Sequence, residues 1–170
     1  SYAQSGLMFY VGPKGHSWLA NQLYTSTNHG QSWTSCKMKG LPDMQDRRCN
    51  SIALDQSNPN RLWLAVSGKI APNEGGVYVS EDKGNNFTWD SSGMSGTSFF
   101  TTSIWQAGPQ LAVSRNGNMI AASDSSRSIY TRSDDQKQWQ KVNIKDSNSG
   151  KPSSVAASMH APGILAVAIR

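Results

Sequence analysis

Along this chain, short stretches of alternating apolar and polar side chains, and runs of five or six apolar ones, are bounded again and again by Ser, Asn, Asp, Gly and Pro. Such stretches read as strands separated by turns. Residues 51–55 make a first strand, 56–60 a turn holding Asn58-Pro59, and 61–67, with its Leu-Trp-Leu-Ala-Val, a buried second strand. Residues 76–80 and 86–90 complete a four-stranded unit. The order returns at 111–114, 119–123, 128–132 and 138–143, with Asn116-Gly117 between the first two of these, the strongest short hairpin signal in the chain. Residues 7–11, 23–26 and 32–38 supply the second to fourth strands of an earlier unit, and 154–158 and 164–169 the first two of a later one. The last stretch is nearly all apolar, which predicts a strand buried on both faces.

The turns carry a repeat. Ser26, Asn28, Gly30 and Trp33 are matched 54 positions later by Ser80, Asp82, Gly84 and Phe87. A worn third copy runs through Asp134 to Trp139, with Arg132 where Ser stood and Gln136 where Gly stood. An Asn or Asp between a Ser two before and a Gly two after can turn its side-chain oxygen onto nearby backbone N–H groups while Gly takes a positive φ, giving a stiff hairpin tip. The aromatic three residues past the Gly is expected to be the first inward-facing residue of the returning strand. A period of about 50 residues with several short strands in each is the mark of propeller blades.

The pattern Ser-x-[Asp/Asn]-x-Gly-x-x-[Trp/Phe] resembles the Asp-box, or BNR-type, repeat of sialidases, sortilin-type sorting receptors and xyloglucan-cleaving glycosidases. The resemblance covers most of the chain. It implies an all-β partial propeller of about three to four four-stranded antiparallel blades, at about 5–45, 50–92, 109–144 and, incomplete, 153–170. In those families the box joins the third and fourth strands of a blade and sits away from the ligand, so a structural role is what carries over to Ser26, Asn28, Gly30, Trp33, Ser80, Asp82, Gly84, Phe87, Asp134 and Trp139. Fewer blades than close a ring imply that the remainder of the propeller comes from another chain or chain segment.

Among 170 residues only 16% are charged, 15 are Gly and 7 Pro, as suits an exported all-β protein, secreted, extracellular or in a periplasmic or lumenal space. No apolar run reaches the ~18–20 residues needed to span a bilayer, so no transmembrane segment is expected. Ser1-Tyr2-Ala3-Gln4 would fit the scar of a signal cleavage site. Cys36 and Cys49, 13 positions apart across the connection between the first two blades, are expected to form a disulfide, two buried free thiols being the alternative.

In a meander of hairpins the connections point alternately to opposite ends. The boxes share one end, and the other carries the longer loops 12–22, 39–50, 68–75, 91–109, 124–127 and 144–152. Long loops on a rigid scaffold are where binding tends to be placed. The candidate ligand-binding residues there are His16, Trp18, Arg47, Arg48 and Trp105. Flat aromatics can stack on sugar rings or an extended peptide; alternatively Trp105 and Phe99-Phe100 plug the space between blades. The net charge of +5, with Arg47 and Arg48 adjacent and Lys37 and Lys39 nearby, suits an acidic partner or a solvated surface. Nothing resembles a nucleic-acid motif, so no nucleic acid is expected.

Chemistry finds little in this sequence. A glycosidase needs two facing carboxylates, and nothing marks Asp43, Asp46 or Glu74 as a pair. His16, His29 and His160 lie far apart, without metal-ligand spacing, so neither metal nor cofactor is expected. The expectation is a non-catalytic part of an exported propeller that recognises glycan or protein or serves as an extracellular scaffold. The alternative is a portion of a xyloglucanase- or sialidase-like glycoside hydrolase whose catalytic carboxylates lie partly outside this chain.

Overall fold

The computed structural model describes residues 6–14, 17–43, 48–94, 98–99, 110–114, 119–123, 128–143, 152–158 and 165–169. The described residues form antiparallel sheets in chain order, the arrangement of successive blades of a partial β-propeller. The first blade holds β1 (Met8–Lys14), β2 (Ser17–Ser26) and β3 (Thr34–Ser35). The second holds β4 (Cys49–Leu54), β5 (Leu62–Val66), β7 (Gly76–Ser80) and β8 (Thr88–Trp89), with β6 (Gly68–Lys69) set aside and paired to β9 (Ser98–Phe99). The third holds β10 (Gln110–Val113), β11 (Met119–Ser123), β12 (Ser128–Arg132) and β13 (Gln140–Val142). A last pair, β14 (Pro152–Ala157) and β15 (Leu165–Ile169), follows.

Neighbouring blades touch through their first strands, β4 against β10 and β10 against β14. A second strand such as β5 therefore has a sheet on either side. All five of its residues are buried, which is why Leu-Trp-Leu-Ala-Val shows no polar alternation. Leu62, Leu64 and Val66 point into a core shared with Leu23, Cys36 and Phe87. Trp63 and Ala65 point the other way, toward Leu111, Tyr130 and Trp139. The period of two thus sends alternate side chains of one strand into two inter-blade cores.

Four expectations are corrected. The expected loop 12–22 is largely strand, because β1 and β2 keep pairing through Gly12 opposite Gln22 and Pro13 opposite Asn21 before the register shifts. The apolar end strand is not buried on both faces: in β15, Val167 packs toward Ile129 and Val155 while Ala166 and Ala168 are exposed, since a strand covered on one side only alternates. Trp33, expected to face inward, is exposed, whereas Phe87 and Trp139 are buried.

The fourth correction concerns the cysteines, which are both buried and free. The Cys36 thiol lies against the second blade's turn, 3.3 Å from the Lys83 carbonyl oxygen that accepts from it, while Cys49 sits in β4 opposite Val66. Cys36, just past β3, and Cys49, the first residue of β4, are thus each held within the core. Burial pushes Cys36 up to about 11, with the Asp82 charge adding to it, and Cys49 up to about 12, so both stay protonated.

Candidate functional site

In the first two repeated turns the Ser and Asn or Asp side chains close a hydrogen-bond cage within the turn. In the first, the Ser26 hydroxyl donates to Asn28 Oδ1 at 2.9 Å and accepts from the Gly30 N–H at 2.9 Å, while Asn28 Oδ1 also takes the Ser32 N–H at 2.9 Å. In the second, Ser80 donates to Asp82 Oδ1 at 2.9 Å and accepts from Gly84 N–H at 2.8 Å, and the same carboxylate oxygen accepts from the N–H groups of Asn85 and Asn86. Burial opposes the Asp82 charge, but the hydrogen bonds from Asn86, Ser80 and Asn85 outweigh it and hold the carboxyl below its usual range. His29 and Lys83, equivalent and both left-handed, send their N–H groups to the Gly6 and Asn60 carbonyls of the neighbouring connection in their own blades.

The third turn works differently. With Arg at 132 and Gln at 136, the Ser hydroxyl and Gly of the cage are missing, and the Gln136 side chain accepts the Ser133 N–H instead. Asp134, expected to organise this turn, reaches out of it and takes two hydrogen bonds from Arg61 of the second blade, at 2.8 and 2.9 Å. Arg132 in turn reaches back to Asp90, which it grips with both terminal nitrogens. The seam between these blades is therefore crossed by ion pairs in both directions. Arg61 also holds Asp55 and lies 5.0 Å over the Trp63 ring, and Arg132 lies 5.3 Å over Trp139.

These carboxylates are committed. Burial pushes Asp90 above the ordinary carboxylate range, and Arg132 and the Trp63 indole N–H, 3.1 Å from Oδ2, hold its charge in place. Burial also opposes the charge of Asp55, but the Ser57 hydrogen bonds and Arg61 prevail and lower its pKa. Both act as clamps. Among the described residues no group of three or more His, Cys, Asp and Glu is arranged to hold a metal ion. No described helix is long and apolar enough to cross a membrane.

Of the expected ligand-binding residues, His16, Arg47 and Trp105 lie outside the described residues, as does Phe100. Trp18 belongs to β2 rather than to a loop, and Phe99 to β9. The Arg48 backbone exchanges hydrogen bonds with Ser67, at 2.8 Å in both directions, anchoring the start of β4 against the end of β5. Asp43 is exposed and Glu74 half-buried; Asp46 lies outside the described residues. The Arg61–Asp134 and Arg132–Asp90 pairs escaped the sequence reading because their partners are 73 and 42 positions apart. The one local signal was Arg132 in the place of the box Ser.

No family model matches the chain. Over 98 residues, 52% of the chain, it is 32% identical to a probable oligoxyloglucan-reducing end-specific xyloglucanase of Neosartorya fischeri, of which it covers 12%. Among solved structures, YCF48 bound to D1 peptide matches with a TM-score of 0.44 at 14% identity, over 99% of this chain and 60% of that one. An ancestral GH74 enzyme matches with a TM-score of 0.48 at 14% identity, over 86% and 20%. The GH74 xyloglucanase of Xanthomonas campestris matches with a TM-score of 0.37 at 12% identity, over 91% and 35%. The chain thus spans about an eighth of the curated relative that it matches.

Proposed function

We propose that this chain supplies non-catalytic blades of a larger exported propeller of the Asp-box type, which recognises a polysaccharide or an extended peptide. The observation that carries the reading is how the buried carboxylates are used. Asp55 is tied to Arg61, which itself reaches Asp134 of the third blade, and Asp90 is tied to Arg132 across the seam, so both carboxylates serve ion pairs that hold the blades together. Ligand contact falls to the end opposite the boxes, with His16, Trp18, Arg47, Arg48 and Trp105 as its residues. The identity to a probable xyloglucanase makes xyloglucan the polysaccharide to try first. Affinity electrophoresis of the chain in gels containing xyloglucan tests this, with retardation and no release of reducing sugar expected. Unretarded migration in xyloglucan and across a glycan array would remove the polysaccharide arm.

The same identity favours one second reading, a portion of a xyloglucan-cleaving hydrolase. Reducing-sugar release that is lost in Asp43→Asn, Asp46→Asn or Glu74→Gln would establish it over the first.

A further inference from the structure

The first two blades superimpose residue for residue in their pairing: Met8 stands opposite Ser26 as Leu62 stands opposite Ser80. Met8, Tyr10, Tyr24 and Trp33 are therefore the counterparts of Leu62, Leu64, Tyr78 and Phe87. In the second blade these four are covered by the first blade, at 0, 0, 1 and 6% exposure. In the first, Met8, Tyr10 and Trp33 are 44, 52 and 41% exposed. They form one surface: Tyr10 stacks on Tyr24 and meets Trp33 edge-on, each at 6.2 Å between ring centres.

The described seams also show what such a face receives. The Phe87 N–H donates to the Lys39 carbonyl at 2.7 Å, and the Trp139 N–H donates to the Ser92 carbonyl at 2.8 Å. Each acceptor precedes a glycine with positive φ, Gly40 at 83° and Gly93 at 90°. A Cβ on either glycine would overlap the Phe87 or the Trp139 carbonyl oxygen. After each glycine comes an apolar residue, Leu41 or Met94, packed into the same core as the box aromatic. The latch is thus a residue-Gly-[Leu/Met] segment placed just after a blade's fourth strand.

We propose that the Met8–Tyr10–Trp33 face is the docking surface for one further propeller blade, whose fourth strand is followed by such a segment and whose pre-glycine carbonyl accepts the Trp33 N–H. The inference rests on the propeller reading above but needs no glycan, so either can fail without the other. It selects a blade over a sugar because the counterparts whose burial is described, Leu62, Leu64, Tyr78, Phe87, Tyr130 and Trp139, are all buried at a seam between blades.

The test adds to the amino end of the full chain a second copy of residues 48–94, which carries its own Ser92-Gly93-Met94 latch, and follows amide hydrogen exchange and Trp33 quenching by acrylamide. Exchange at Trp33 should slow by about 100-fold and quenching should fall, and Gly93→Val in the added copy alone should restore both to the values of the parent chain. Trp33→Ser should lower the melting temperature of the extended chain by several degrees more than that of the parent. The proposal is overturned if the added copy folds and Trp33 exchanges as before, or if the copy stays unprotected and the face orders nothing. It is equally overturned if xyloglucan oligosaccharides, without any added blade, protect Trp33 and Tyr10.

Discussion

The seam between the first and second blades and the seam between the second and third share one backbone latch and differ in almost everything else. Among the described residues, the first is held by backbone hydrogen bonds and an apolar core. Beside the Phe87 latch, Met38 and Lys39 donate their N–H groups to the Gly84 and Asn85 carbonyls, and the core behind them is Leu23, Leu62, Leu64 and the two cysteines. The second is ionic, with Arg61 on Asp134, Arg132 on Asp90, and the Trp139 indole donating to the Asp90 carbonyl at 2.6 Å. The difference begins in the turns. Ser80 and Asp82 satisfy one another inside the second turn and leave nothing to offer a neighbour, whereas Arg132 and Asp134 at the same positions give up the cage and bind across the gap. Backbone geometry sets how blades stack, and side-chain chemistry at the seam can then drift.

The largest effect should come from removing one side of the better-buried ion pair. Arg132→Met leaves the Asp90 carboxylate uncompensated and should cost about 3–5 kcal/mol, read from urea unfolding at neutral pH. Folded Asp90 has a raised pKa, so its ionisation erodes stability as pH rises through that value. The deficit of Arg132→Met relative to the parent should therefore be larger at pH 7 than at pH 4. Taking the difference cancels the opposite trend of Asp55 and Asp82, whose lowered pKa values give stability that is lost as pH falls. A deficit independent of pH would mean that Arg132 acts by packing on Trp139 instead.

The shared latch predicts equal losses at both seams. Gly40→Val and Gly93→Val should each cost about 3 kcal/mol, because a β-branched residue is strained at these φ values and its Cβ would collide with the facing carbonyl oxygen. If only one of the two destabilised, the common backbone device would be refuted.

Smaller effects should separate the turns. Asp82→Ala removes the acceptor of two backbone N–H groups and should cost about 1–2 kcal/mol. Asp134→Ala breaks only a pair whose carboxylate is 44% exposed and should cost about 0.5 kcal/mol, shrinking in 0.5 M salt. Equal costs from thermal unfolding would show that the third turn is caged after all.

The smallest signature is chemical. With Cys36 and Cys49 unjoined, two thiols per chain should titrate in denaturant without reductant, and neither should react quickly in the folded protein.

The local features of this molecule were legible in its sequence. Strand order and the hairpin tips at Ser26–Gly30 and Ser80–Gly84 follow from interactions within about five residues or from a period of two, and the unbroken apolar run Leu62–Val66 marks a strand covered on both faces. The tertiary structure decided what depends on a neighbour. Trp33 and Phe87 occupy the same place in the same motif, yet one is exposed and the other buried, because burial is a property of the blade alongside. Asp134 fits a turn-forming motif and instead serves Arg61, since a carboxylate released from its cage binds the nearest guanidinium however distant in sequence. Cys36 and Cys49 are close in number and still unjoined, because the segment after β3 holds one thiol against the Lys83 carbonyl while β4 buries the other opposite Val66.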